Sequence, residues 1–262
     1  MDRRARASHR PSQGESSQQV AERRRLLADR PILPGVRVVA LGGFSAYWRG
    51  IDAGAFLYRQ VNEYYPRLVR EFYANYVFDP RKLKCVHVNM FGYSYDWTLE
   101  EFGEMLDIPD GDFKFFSLSK DVKKAPRRSA TGNSFSASGF VSGLCKPGFY
   151  MPNSGPVIIR EEDIQDQYQQ MMNVIKKNVM FRDDADVELS VTEVLILMCL
   201  LEQIPINLAY VVANRMAGLA AAGGSGLPYG MLLNNFFADE DELVHPSDRE
   251  VLNAQIMYAA AF

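Results

Sequence analysis

The chain has 262 residues, 47% of them hydrophobic and 23% charged, with a formal net charge of −3. This composition excludes a wholly disordered chain, a collagen-like fibre and a disulfide scaffold. A folded chain of this length buries roughly three quarters of its unfolded surface, so its core needs neither disulfides nor a metal.

Charge is informative once it is split. Residues 1–30 carry eight arginines against four acids, and the remainder is mildly acidic. A body of that sign is a poor non-specific surface for nucleic acid, whereas a basic arm can touch phosphates. The three cysteines, Cys85, Cys145 and Cys199, have no paired spacing, which points to a reducing compartment. The opening stretch has no apolar core and does not read as a secretory signal. The longest apolar run, 194–201, is far short of the ~18 residues a membrane span needs. An intracellular chain is expected, with the nucleus slightly favoured and no membrane association.

In chain order, residues 1–19 are polar, so disorder is the expectation there. A short helix around Arg23, Arg24 and Arg25 is expected over 18–29, closed by Pro31, and 1–43 as a whole reads as a basic arm and linker. The body starts near Phe44, with a helix over 53–63. Pro66 suits the first turn of the next helix, whose apolar face joins Leu68, Val69, Phe72 and Tyr73 up to about Tyr76. Residues 85–90 and 93–97 alternate with period two around Phe91-Gly92, the pattern of a β-hairpin. Thr98 and Glu101 then form a capping box for a helix carrying Leu99, Phe102 and Leu106, closed by Pro109 to Gly111.

Residues 121–155 are rich in glycine, serine and proline, and read as a long flexible loop, disordered in part. A helix is expected over 161–181, with Ile164, Tyr168, Met171 and Ile175 along one stripe. Ser190 and Glu193 make a second capping box, opening a helix apolar on all sides and hence central to a core. Pro205 ends it. Further helices are expected over 207–222 and 228–237, and a third capping box at Ser247 predicts a final helix.

Several of these stretches together carry a family resemblance: LVREFYANYVFDP at 68–80, TLEEFGEMLDIP at 98–109, the long run at 188–216 and LPYGMLLNNFF at 227–237. Their order resembles the Putative plant transposon protein domain family over about residues 66–250, most loosely across 117–160. The chain departs from it at Cys85 to Val88 in the first hairpin strand, and at Tyr168, where the family often has tryptophan. The resemblance implies retroelement origin and carries over no catalytic residue.

Transposase chemistry needs three acids converging on metal ions. Here the acids cluster at Asp183, Asp184, Asp186 and Glu188, and again at 239–242, as solvated loops do. Cys85 and His87 share a strand face, and Cys199 and His245 complete the possible zinc ligands, but the spacing fits no known structural site. Gly224, Gly226 and Gly230 follow a helix, so they lack the strand-to-helix context of a dinucleotide site. No metal and no cofactor are expected. Two basic clusters remain as candidate nucleic-acid contacts: Arg23, Arg24 and Arg25 in the arm, and Lys123, Lys124, Arg127 and Arg128 in the loop. Tyr64, Tyr65, Tyr73, Tyr93, Tyr95 and Trp97 offer aromatic faces for bases, although packing accounts for most of them.

The expected protein is mainly α: one helical domain over 44–262 with a small hairpin, a disordered basic arm and a long internal loop. Its expected function is a non-catalytic interaction module of retroelement, Gag-like or domesticated origin, with protein partners. The alternative is a weak, sequence-independent nucleic-acid binder acting through the arm and the Lys123 to Arg128 loop.

Overall fold

The computed structural model describes residues 17–33, 37–39, 44–51, 63–111, 141, 143–149, 158–182, 187–221, 226–239, 250–251 and 256–258. In chain order the elements begin with α1 (Ser17–Leu27), β1 (Arg37–Val39), α2 (Phe44–Gly50), β2 (Glu63–Tyr64) and α3 (Pro66–Asn75). Next are β3 (Val77–Phe78), β4 (Val86–Met90), β5 (Tyr93–Trp97) and α4 (Leu99–Leu106). A 3-10 turn (Glu161–Asp163) precedes α5 (Asp166–Val174), which runs into a π-helical stretch (Ile175–Met180). The rest are α6 (Val191–Leu201), α7 (Leu208–Ala221), α8 (Gly230–Asp239), β6 (Glu250–Val251) and β7 (Ile256–Tyr258). The protein is mainly helical, with one small antiparallel sheet of three strands.

These elements group into two compact units, each assembled from separated stretches. The first takes 1–35, 59–110 and 208–255, and the second 36–58, 111–207 and 256–262. The single body expected over 44–262 spans both. The first unit also takes in α1, which matches the short helix expected over 18–29, and the described residues on to 33. The reason is apolar: Leu27 and Ile32 are buried, and Ile32 bridges Leu227.

In the first unit, Pro66 occupies the opening turn of α3, where its missing N–H costs nothing. Leu68, Val69, Phe72 and Tyr73 are all buried, as their spacing requires. The expected hairpin is present and gains a third strand, in the order β3-β4-β5. Its turn holds Phe91 at φ 50° and Gly92 at φ 91°, the paired left-handed conformation that matches strand twist. Thr98 Oγ1 accepts from the Glu101 N–H at 3.1 Å while Glu101 Oε2 accepts from the Thr98 N–H at 2.8 Å, completing the predicted box. Phe236 of α8 meets Tyr95 edge-on at 4.9 Å and Trp97 at 5.4 Å, so the sheet and helices share one aromatic core.

In the second unit, α6 starts at its predicted capping box, Ser190 with Glu193. From Val194 to Leu200 every residue is buried. The helix expected over 161–181 is broken instead. Ile164 forms a strand-like bridge with Cys145, and the Gln165 N–H donates to the Leu144 carbonyl at 2.9 Å, which pulls that stretch out of helical geometry. The helix resumes at Asp166, widens to π geometry at Ile175 and stops at Phe181, φ 45°.

The helix expected after Ser247 is not formed over its described part. Glu250 and Val251 pair antiparallel with β2, and Ile256 to Tyr258 pair parallel with β1. Pairing with a distant strand overrides the local helical signal there. Several expectations lie outside the described residues: the helix over 53–63 apart from Glu63, most of the 121–155 loop, and the acids at 240–242.

Candidate functional site

Helix α1 buries Leu27 and half-buries Val20 and Arg23, a single stripe that docks on α3. Two of its predicted contact residues are engaged there by the protein itself. Arg23 Nη1 donates to the carbonyl of Tyr76 at 3.2 Å. Tyr76 is the C-cap of α3, so the guanidinium meets the negative end of that helix. Burial lowers the Arg23 pKa from its ordinary value. Arg24 forms a two-pronged ion pair with Glu71, its Nε at 2.9 Å from Oε2 and its second nitrogen on Oε1. Donating hydrogen bonds to Glu71 raises the Arg24 pKa, against a smaller opposing effect of burial. Among the described residues Arg25 pairs with the exposed Glu22 of its own helix, at 3.1 Å.

Arg30, just beyond α1, is another of the basic arm's arginines. It is buried, and its guanidinium donates to the carbonyls of Leu219 at 2.9 Å and Gly226 at 3.1 Å. Leu219 lies in the last turn of α7, so Arg30 caps a second helix C-terminus. Nothing local announces this, because both acceptors are backbone carbonyls far along the chain. Lys123, Lys124, Arg127 and Arg128 lie outside the described residues.

Of the aromatic residues offered for stacking, Tyr64, Tyr73, Tyr95 and Trp97 are buried, while Tyr65 and Tyr93 are half-buried. The Tyr73 hydroxyl donates to the Pro228 carbonyl at 2.7 Å, so it serves packing. His87 Nδ1 lies 2.5 Å from Asp96 Oδ1 and its Nε2 3.0 Å from Asn89 Nδ2, which occupies both ring nitrogens. His245 is outside the described residues.

All three thiols are buried. Burial pushes the Cys145 thiol up to about 11, with Asp163 adding to it, and pushes Cys199 higher still. A raised thiol pKa leaves little reactive thiolate at neutral pH. Native protein at about pH 8 should therefore react slowly with an aromatic disulfide reagent, and rapidly once denatured. Fast labelling of Cys145 or Cys199 before unfolding would contradict this burial.

Two further ion pairs lie inside the second unit. Lys176 is 1% exposed, and its Nζ meets Glu161 Oε1 at 2.5 Å. Arg182 Nη1 meets Glu193 Oε2 at 2.5 Å, and the Glu193 side chain is fully buried. Beside the first pair is an open cavity of about 290 Å³, lined by Glu161, Glu162, Ile164, Gln169, Met172 and Asn173. Its carboxylates already face internal cations: Glu161 has Lys176, and Glu162 has Arg160 at 3.7 Å. The sequence showed Glu193 as a cap but not as the partner of Arg182.

The structure thus defines a mainly helical protein whose ionised groups hold helix ends and segment joints. Among the described residues no helix is long and apolar enough to cross a membrane. A family model described as "Putative plant retrotransposon-related domain" matches residues 55–242, and the chain belongs to that family. Its retroelement origin follows, as the resemblance over about 66–250 implied. No curated protein and no solved structure matches the chain.

Proposed function

We propose that the protein is a non-catalytic interaction module, Gag-like or domesticated, that works by binding other proteins. One observation carries the reading: the charged side chains buried among the described residues, Arg30, Lys176 and Glu193, are held in structural pairs and caps. Lys176 holds Glu161, Arg182 holds Glu193, and Arg30 holds two backbone carbonyls. Catalysis requires a nucleophile, a base and an orienting group converging on open space. Groups committed to folding in this way support a binding role instead. The same commitment weakens the alternative of nucleic-acid binding, since Arg23 and Arg24 are engaged internally. The test is affinity capture from plant extract with the tagged full chain, comparing nuclease-treated and untreated halves. The same proteins should be recovered from both. Loss of every partner on nuclease treatment would favour the nucleic-acid alternative and sink this reading.

A further inference from the structure

The strap formed by α1 and residues 28–33 has two parts of unequal strength. Its C-terminal part is anchored by buried Leu27, Arg30 and Ile32, and by paired backbone bonds between Leu227 and residues 31 and 33, at 2.8 and 2.9 Å. The N-terminal part has no fully buried side chain. Among its contacts are the pairing of Arg24 with Glu71 and of Arg23 with the Tyr76 carbonyl. The Arg24 side chain is 54% exposed and that of Glu71 14%. With its cation this exposed, the pair is open to water and to screening by salt. An isolated helix as short as α1 is also marginal in water.

We propose that α1 is an autoinhibitory latch: Glu71 and the Tyr76 carbonyl occupy Arg24 and Arg23, so single-stranded nucleic acid reaches them only when the N-terminal part of the helix undocks. This goes beyond the protein-binding reading and does not depend on it. Nucleic acid and Glu71 compete for one guanidinium, and a phosphodiester offers Arg24 the same two-pronged acceptor geometry as the carboxylate. Opening the latch must therefore raise affinity, and binding must favour the open form, by the same factor.

Three full-length variants test this with a labelled oligouridylate at about 50 and 200 mM salt. Glu71→Gln removes the negative charge and one of the two acceptor oxygens. Arg24→Lys keeps the charge but loses the two-pronged pairing. Glu100→Gln, on an exposed acid at the start of α4, controls for charge alone. Glu71→Gln should bind about 1.5- to 5-fold tighter than the parent, whereas Arg24→Lys, which loses the two-pronged contact with carboxylate and phosphate alike, should gain less than Glu71→Gln. Trypsin should also cut these two faster after Arg23 or Arg25. Glu100→Gln should match the parent in both measurements. Equal affinity across all four proteins, a gain in Glu100→Gln as large as in Glu71→Gln, or no binding by any would each overturn the latch.

Discussion

Replacing Leu197 by alanine should destabilise the second unit by about 2–5 kcal/mol, lowering its thermal midpoint by about 4 to 20 °C. The expectation rests on the surroundings of α6. Ile196, Leu197, Cys199 and Leu200 are each fully buried, so the helix has no solvent face into which neighbours can relax. Truncation there removes transfer energy and leaves a cavity as well. Leu195, at 5% exposure, lies nearer the surface of the packing and should lose less. Calorimetry of the two variants checks both the size and the order. An unchanged midpoint for Leu197→Ala would mean that α6 is not the centre of its unit.

What could be read in advance was local. Both described capping boxes, Thr98 with Glu101 and Ser190 with Glu193, were legible because donor and acceptor lie three residues apart. The hairpin was legible because period-two alternation flanks a glycine suited to a positive φ. What could not be read depends on a distant partner. The pairing of Glu63 and Tyr64 with Glu250 and Val251 leaves no mark in either dipeptide. The same holds for β1 with β7, and so Ser247 signalled a helix that the described residues beyond it do not form.

The arginines show this limit most clearly. A run of three looks the same whether it faces phosphate, water or a helix end. Only the fold brings the Tyr76 carbonyl to Arg23, Glu71 to Arg24, and the end of α7 to Arg30. The break at Ile164 has the same origin, because the bridge to Cys145 is not encoded in the apolar stripe of Ile164, Tyr168, Met171 and Ile175. The π-helical stretch after α5 is equally unannounced, and its residue Lys176 is buried on Glu161. Polar residues that the stripe leaves out thus become interior joints.

The second large effect concerns such a joint. Arg182→Met should destabilise the second unit by about 3–5 kcal/mol at neutral pH, because it strands the ionised carboxylate of Glu193 in the interior. Methionine keeps much of the volume of the arginine stem, so the loss reports charge more than packing. Among the described residues Glu193 would retain only the Ser190 N–H on Oε2, at 2.6 Å, and its Oε1 has no hydrogen-bond partner there even in the parent. One comparison separates this from a simple loss of contacts. The double variant Arg182→Met with Glu193→Gln should recover part of the loss at neutral pH. Its neutral amide oxygen can still accept from Ser190 and keep the cap, while the buried charge is gone. Chemical denaturation of parent, single and double variants supplies the numbers. A single variant within about 1 kcal/mol of the parent, or a double variant no more stable than the single, would show that the pair does not hold the end of the π-helical stretch to the start of α6.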